Sequence, residues 1–171
     1  MKSFRDPEAL RERPDITFRE ETERVDPAAS ANVRADLAAL DSHVVVGVTN
    51  DADEVLLMDD GEHGWTLAAV PVEAGDDWLA AGRNGVAGLT DVRVAVDRAE
   101  RVRRADYHVG DEVDPHATVY TVVVRGESVT GRPVASDPTI AGEPIPDVGW
   151  FDAVPEGVDG PVADDIRQFL A

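Results

Sequence analysis

The chain has 171 residues, the size of one domain, with 35 acidic against 16 basic residues, a formal net charge of -19 and no cysteine. The absence of cysteine excludes disulfides, thiolate metal sites and a cysteine nucleophile. The acidic balance excludes the basic footprint that nucleic acid or an anionic membrane surface requires.

The acids are spread along the whole chain, and Lys2 is the only lysine. Such a surface suits a protein that works in high salt, where screening removes most of the self-repulsion, so a halophilic source is expected. No apolar run approaches the roughly 20 residues that span a bilayer. The opening stretch "MKSFRDPEALRERPD" lacks the apolar region of a secretory signal, so a cytoplasmic location is expected.

Residues 1–42 read as an N-terminal extension. Its first part is charged and broken by Pro7 and Pro14, and "ITFREETERV" has the alternation of an edge strand through Ile16 and Phe18. Asp26 and Pro27 then form an N-cap and first-turn pair for a helix over "AASANVRADLAAL". The extension is expected to cover a sheet edge or a partner subunit, which makes a homodimer one expectation.

From His43 the chain becomes strand-rich. "HVVVGVT", the turn "NDADE" and "VLLM" read as a hairpin. "GWTLAAVPV" is a strand running into a loop, and "DDWLAAGRNGVAGL" has helical length, with Trp78, Leu79, Ala81, Val86 and Leu89 as its apolar members. "DVRVAVDRAERVRRADYHV" supplies one or two strands. "ATVYTVVVRGE" is β-branched and aromatic without an interior Gly or Pro, the clearest strand of the chain. "SVTGRPVASDPTIAGEPIP" reads as a long loop, "DVGWFDAVP" as a strand with a turn, and "GPVADDIRQFLA" as a C-terminal helix. The order predicts an α+β domain over residues 43–171, with a mixed sheet between helices.

Trp65, Leu67, Val72, Glu73, Gly75 and Asp76, followed by Asp77, Trp78 and Ala81, resemble the approach to the signature motif of the Nudix hydrolase superfamily. That approach commonly reads W-x-L-P-G-G-x-V-E-x-G-E. "DVGWFDAVPE", through Trp150, Phe151 and Pro155, is similar to a late segment of the same family. The resemblance covers residues 43–171. It implies a Nudix-like α/β/α sandwich with a mixed sheet, the signature helix central and a second helix at the C-terminus. It also implies a substrate in which a nucleoside diphosphate is linked to another group, as in ADP-ribose.

The departures from the motif decide the functional reading. Where the family carries R-E-U-x-E-E-x-G-U, with U apolar, this chain carries Asn84, Gly85, Val86, Ala87, Gly88, Leu89, Thr90, Asp91 and Val92. The three positions at which the resemblance implies glutamates holding Mg2+ against a diphosphate are therefore Gly85, Gly88 and Leu89. None offers the hard oxygen ligand that magnesium requires. Each glycine also costs a helix about 1 kcal/mol relative to alanine. Such glycines either make room for a ligand or a close-packed neighbour, or mark drift after catalysis was lost.

Two function classes follow. The first is a degenerate, non-catalytic or weakly active nucleotide-binding or scaffold domain. The second is an active hydrolase whose metal ligands have moved to Glu73 and Asp76, with Mg2+ as its cofactor. Arg101 and Arg103, in the one basic cluster, are the candidate contacts for a nucleotide or other small anion, since arginine grips phosphate through two donors. The competing reading makes them surface arginines paired with nearby acids. His63, His108 and His116 form no metal-ligand pattern and read as loop residues, and Trp65, Trp78 and Trp150 read as core.

Overall fold

A computed structural model of the chain describes residues 3–170. Its centre is a mixed seven-stranded sheet in the order β1-β5-β6-β2-β4-β3-β9. These strands are β1 (Thr17–Val25), β2 (Ser42–Gly47), β3 (Val55–Asp59), β4 (Trp65–Val72), β5 (Val96–Val109), β6 (Ala117–Gly126) and β9 (Asp147–Phe151). A short hairpin, β7 (Thr139–Ile140) with β8 (Glu143–Pro144), stands apart. The helices are α1 (Val33–Ala38), α2 (Trp78–Thr90) and α3 (Gly160–Arg167). β1 runs parallel to β5 and β2 parallel to β6, and the other neighbours are antiparallel.

β2 explains why the sheet is central. Val44, Val46 and Val48 point into the core under α2, while Val45 points into a second core with Leu67, Val123, Ile166 and Phe169 under α3. A strand covered on both faces reads as a continuous apolar run, which is what "HVVVGV" is. α2 closes the first face with Leu79, Val86 and Leu89, all fully buried. Burying each of those side chains is worth about 1.5–3 kcal/mol. α1 lies on the same face as α3, packing Val33 and Leu37 on Val109.

The helix ends follow local chemistry. The Asp77 carboxylate accepts from the backbone N–H groups of Leu79 and Ala80 at 3.1 and 3.3 Å, capping the N-terminus of α2. At the other end Asp91 adopts a left-handed conformation, φ 59°. This is the position where the Nudix motif carries glycine, and aspartate is one of the few other residues that tolerate that conformation.

Several local expectations change. The segment 43–58 is not a simple hairpin, because β4 lies between β2 and β3, which meet only where Thr49 bridges Val55. The first helix begins at Val33 rather than after Asp26, whose carboxylate accepts from the Ala28 N–H in a turn. Residues 96–109 form one strand, and the long loop after β6 contains the β7–β8 hairpin. Residues of the expected 1–42 extension share the main core: Phe4, Leu10 and Ile16 are buried with Val44 and Leu79. Phe4 stacks on Trp78 at 5.8 Å and its carbonyl accepts from the Trp78 N–H at 3.0 Å.

Candidate functional site

β4 delivers the chain into a turn, residues 73–77, and that turn opens α2. The turn is closed from within. The Asp76 carboxylate accepts from the Glu73 N–H at 2.9 Å, and the Asp76 N–H donates to the Glu73 carbonyl at 3.1 Å. Arg5 fastens the N-terminal segment to it by donating to the Gly75 carbonyl at 2.6 Å. Glu73 and Asp76 are exposed and adjacent. Among the described residues no group of three or more His, Cys, Asp or Glu side chains is gathered as a metal would require.

On α2 the positions that the motif assigns to glutamate do not face solvent. Leu89 is fully buried. A β-carbon on Gly85 would overlap the Val70 side chain and would also meet Ile140 at 3.4 Å. A β-carbon on Gly88 would overlap the carbonyl oxygen of Thr139, and one on Gly82 would meet Val46 at 3.1 Å. The glycines therefore frame no pocket. They let sheet and loop approach the helix more closely than any side chain permits.

The covering element is the strap of residues 127–146, and it is fastened along its length. The Val129 N–H donates to the Thr49 carbonyl at 2.9 Å and the Ala135 N–H to the Leu89 carbonyl at 2.8 Å. Trp150 donates its indole N–H to the Pro133 carbonyl at 3.0 Å. At the base of the strap Arg132 grips the carboxylate of Glu54 through two bonds of 2.7 and 2.8 Å. Asn50 donates both to Glu54, at 3.0 Å, and to the Gly131 carbonyl, at 2.8 Å. Those bonds, the Arg132 guanidinium first and Asn50 second, hold the Glu54 carboxyl below its ordinary range.

A magnesium–diphosphate centre on α2 does not fit these residues. Gly85, Gly88 and Leu89 bring no oxygen, and the space a metal and phosphate would need is filled by Val70 and the strap.

The open space lies beside β4 instead. A cleft of about 750 Å³ runs between the sheet, α3 and the β7–β8 hairpin. Its sheet wall includes His43, Val45, Ala69, Pro71 and Thr121. Asp165 of α3 and Arg103 of β5 meet at one side of it, and Asp60, Glu62, His63 and Glu143 line it as well.

Both candidate arginines point to Asp165. Arg103 makes two bonds to its carboxylate, each 2.7 Å, and Arg101 makes one of 3.0 Å while also donating to Gln168 at 2.6 Å. Asp165 is 4% exposed. The Asp165 carboxylate raises the Arg103 pKa against the opposing effect of burial. Together these bonds clamp α3 to β5, and of the two arginines only Arg103 borders the cleft.

The other ionic feature of the cleft is His63 with Asp60, 2.7 Å apart. Burial pushes the Asp60 carboxyl up, but hydrogen bonds from the His63 side chain and backbone outweigh it and bring the group to about 2. The His63 imidazole is raised in turn by the Asp60 hydrogen bond.

Two functional features escaped the sequence reading. The strap lay in a stretch rich in Gly, Pro and Ser that reads as loop whatever it covers. Asp165 sat among the many acids of this chain, although its place between Val162, Ile166 and Phe169 on the apolar side of a helix marked it as an inward carboxylate in need of a cation.

No family model matches the chain, and no curated protein matches it. Among solved structures it is similar to a MutT protein from Methanosarcina mazei Go1, with 16% identity over 75% of this chain and 91% of that one and a TM-score of 0.51. A NUDIX hydrolase from Nitrosomonas europaea aligns at 18% identity over 76% of this chain and 70% of its own, TM-score 0.48. A UDP-X diphosphatase aligns at 13% identity over 82% and 70%, TM-score 0.49. The chain has the Nudix fold.

Proposed function

We propose that this chain is a Nudix-fold domain that binds a small molecule in the cleft beside β4 and does not hydrolyse it by the family's metal chemistry. The packing of α2 carries this reading: the strap and Val70 occupy the places where carboxylates, metal and diphosphate would meet. A lost site would leave a hollow or an alanine-lined helix, whereas here glycine is required by what covers it. The cleft is within the roughly 300–1,000 Å³ of small-molecule sites, and it combines apolar lining from Val45, Leu67 and Ala69 with a polar rim that includes Asp60, His63 and Arg103. A nucleotide or other small anion is the ligand class that the Nudix resemblance brings, with the cleft-facing edge of Arg103 as its contact.

The alternative is an active hydrolase using Glu73 and Asp76 as relocated magnesium ligands. In its favour, the two carboxylates lie exposed in one turn at the start of α2.

The test is a panel of nucleoside diphosphate derivatives, ADP-ribose included, incubated in molar KCl with magnesium or manganese. Phosphate-containing products are followed alongside thermal shifts of the folded protein without metal. The expected result is no turnover, with a ligand-dependent rise in melting temperature. Metal-dependent turnover that Glu73→Ala abolishes would overturn the reading in favour of the alternative.

A further inference from the structure

One edge of β4 is unpaired where it borders the cleft. β2 lies between β6 and β4. Its Thr49 carbonyl accepts from the Val129 N–H, in the stretch that continues β6, and its Val48 carbonyl accepts from the Leu56 N–H on the other side. Backbone groups of successive strand residues point to opposite sides. Val44 and Val46 therefore turn theirs to β4 and exchange bonds with their register partners Val70 and Ala68. Ala69, between those two, turns its N–H and C=O away from β2, and Pro71 likewise its C=O. The ladder with β3 covers only Trp65, Thr66 and Leu67, and among the described residues no turn or loop bond reaches Ala69. Pro71 fits such an edge, because proline has no N–H and is tolerated in a sheet where that group would go unpaired. Both residues line the cleft, Ala69 half-buried and Pro71 exposed.

An unpaired donor and acceptor on one half-buried residue call for a ligand that answers both. An extended peptide is a poor match. An added strand takes a donor from every second residue, and the next one along this edge, Pro71, has none. A flat heterocycle with a donor beside an acceptor needs Ala69 alone and lies in the plane of the sheet. Apolar side chains flank that plane within the cleft: Ile140 and Ile145 from the core under α2, and Val162 from the core under α3. Charge points to the same end of a ligand. Asp41, Asp60, Glu62 and Glu143 line the cleft, and Arg103, the one guanidinium among the lining residues, already gives two bonds to Asp165. Phosphate finds little attraction in that setting, so the neutral end of a nucleotide must anchor it.

We propose that the free backbone edge of β4 at Ala69 is a nucleobase subsite. The Ala69 N–H donates to a ring nitrogen of the base, and the Ala69 C=O accepts from the amino group beside it, the pair of groups that adenine presents. This assignment rests on the cleft being a small-molecule site and names the end of the ligand that is recognised there.

The test is amide hydrogen exchange, followed by NMR on the whole isotope-labelled chain in molar KCl. The probes are AMP, AMP dimethylated on its amino group, and ribose phosphate. In the free protein Ala69 is expected to exchange fast while Val70, bonded to Val44, exchanges slowly. AMP slows exchange at Ala69 and ribose phosphate does not. Dimethylated AMP, which lacks the donor, binds about tenfold more weakly than AMP. Ala69→Pro removes only an unpaired N–H, so it keeps the fold by circular dichroism and loses the preference for AMP over ribose phosphate. Slow exchange of Ala69 in the free protein, or equal binding of AMP and either other probe, overturns the proposal and leaves the cleft as a small-molecule site. Protection of Ala69 by a short valine–threonine peptide but not by AMP would make this a strand-docking edge and overturns it as well. Binding of none of the probes overturns the subsite and the small-molecule cleft together.

Discussion

Gly88 of the central helix lies against the carbonyl oxygen of Thr139 so closely that a single added carbon has no room. Glycine at this position is a packing requirement. Gly85 stands in the same relation to Val70. The strap and the missing carboxylates are thus one feature, and neither changes without the other.

Returning the motif's glutamates to this background is therefore expected to damage the fold without creating activity. Gly88→Glu forces a charged side chain against a backbone carbonyl, and Gly85→Glu forces one into the core beside Val70. Each should cost about 1–3 kcal/mol as overpacking, with more from burying the charge. Thermal melts in high salt should show the loss, and the folded fraction should hydrolyse no nucleoside diphosphate derivative with added magnesium. Gain of metal-dependent turnover in either variant would mean that the strap moves aside.

The clamp between α3 and β5 gives a second prediction. Asp165→Ala leaves the guanidiniums of Arg101 and Arg103 facing each other, part-buried, without their carboxylate. Breaking such a pair from one side costs about 3 kcal/mol. Arg101→Ala should cost less, since Arg103 keeps its two bonds to Asp165. Chemical denaturation of both variants checks the order. Equal losses would show that Arg101 carries the clamp and that the two bonds of Arg103 contribute nothing.

Much of the fold was legible because the apolar patterning is unambiguous where it matters. "HVVVGV", a near-continuous β-branched run, reads as a strand, and the spacing of Trp65, Leu67, Val72 and Glu73 before an N-capped helix points to the Nudix arrangement. Strand pairing was less legible. The turn at Asn50 suggested that β2 and β3 are neighbours, but β4, further along the chain, takes the place between them, and no local signal encodes that choice. At the candidate site the loss of ligands at Gly85, Gly88 and Leu89 is legible in the sequence, but its cause is not. The cause is Val70 against Gly85 and Thr139 against Gly88, the latter 51 residues apart, and contacts of that separation leave no periodicity to read. Arg101 and Arg103 were visible as a cluster, while their partner Asp165 was hidden by the abundance of acids.

A pH dependence follows from His63 and Asp60. Asp60 raises the pKa of the imidazole, so the contribution of the charged pair is complete below the unfolded histidine value of about 6.5 and is lost as pH rises through the higher folded value. On the acid side the Asp60 carboxyl is depressed to about 2, so its contribution is present above the unfolded value of about 3.9 and is lost as pH falls towards 2. The His63 side chain is well exposed and Asp60 is only half-buried, so solvent screening keeps the effect on overall stability small. The measurement is the NMR titration of the His63 ring. Its midpoint should lie above that of an unperturbed histidine and should fall in Asp60→Asn. An unchanged midpoint in the variant would break the pairing.

The net charge of -19 sets the last prediction. With 35 acids and only 16 basic residues, most carboxylates have no cation to pair with, and folding concentrates them on one compact surface. At about 0.01 M salt the screening length is roughly 30 Å, comparable to the whole domain, so every acid repels every other. At 1 M it is about 3 Å, and only pairs in contact still act on each other. The repulsion therefore falls steeply with salt, while close pairs such as Arg103–Asp165, part-buried and joined by two bonds, persist. Melting temperature should rise with KCl from dilute buffer to the molar range. Most of the gain should come before the screening length drops below the spacing of neighbouring surface acids. A melting temperature independent of KCl over that range would show that charge repulsion does not limit the stability of this fold.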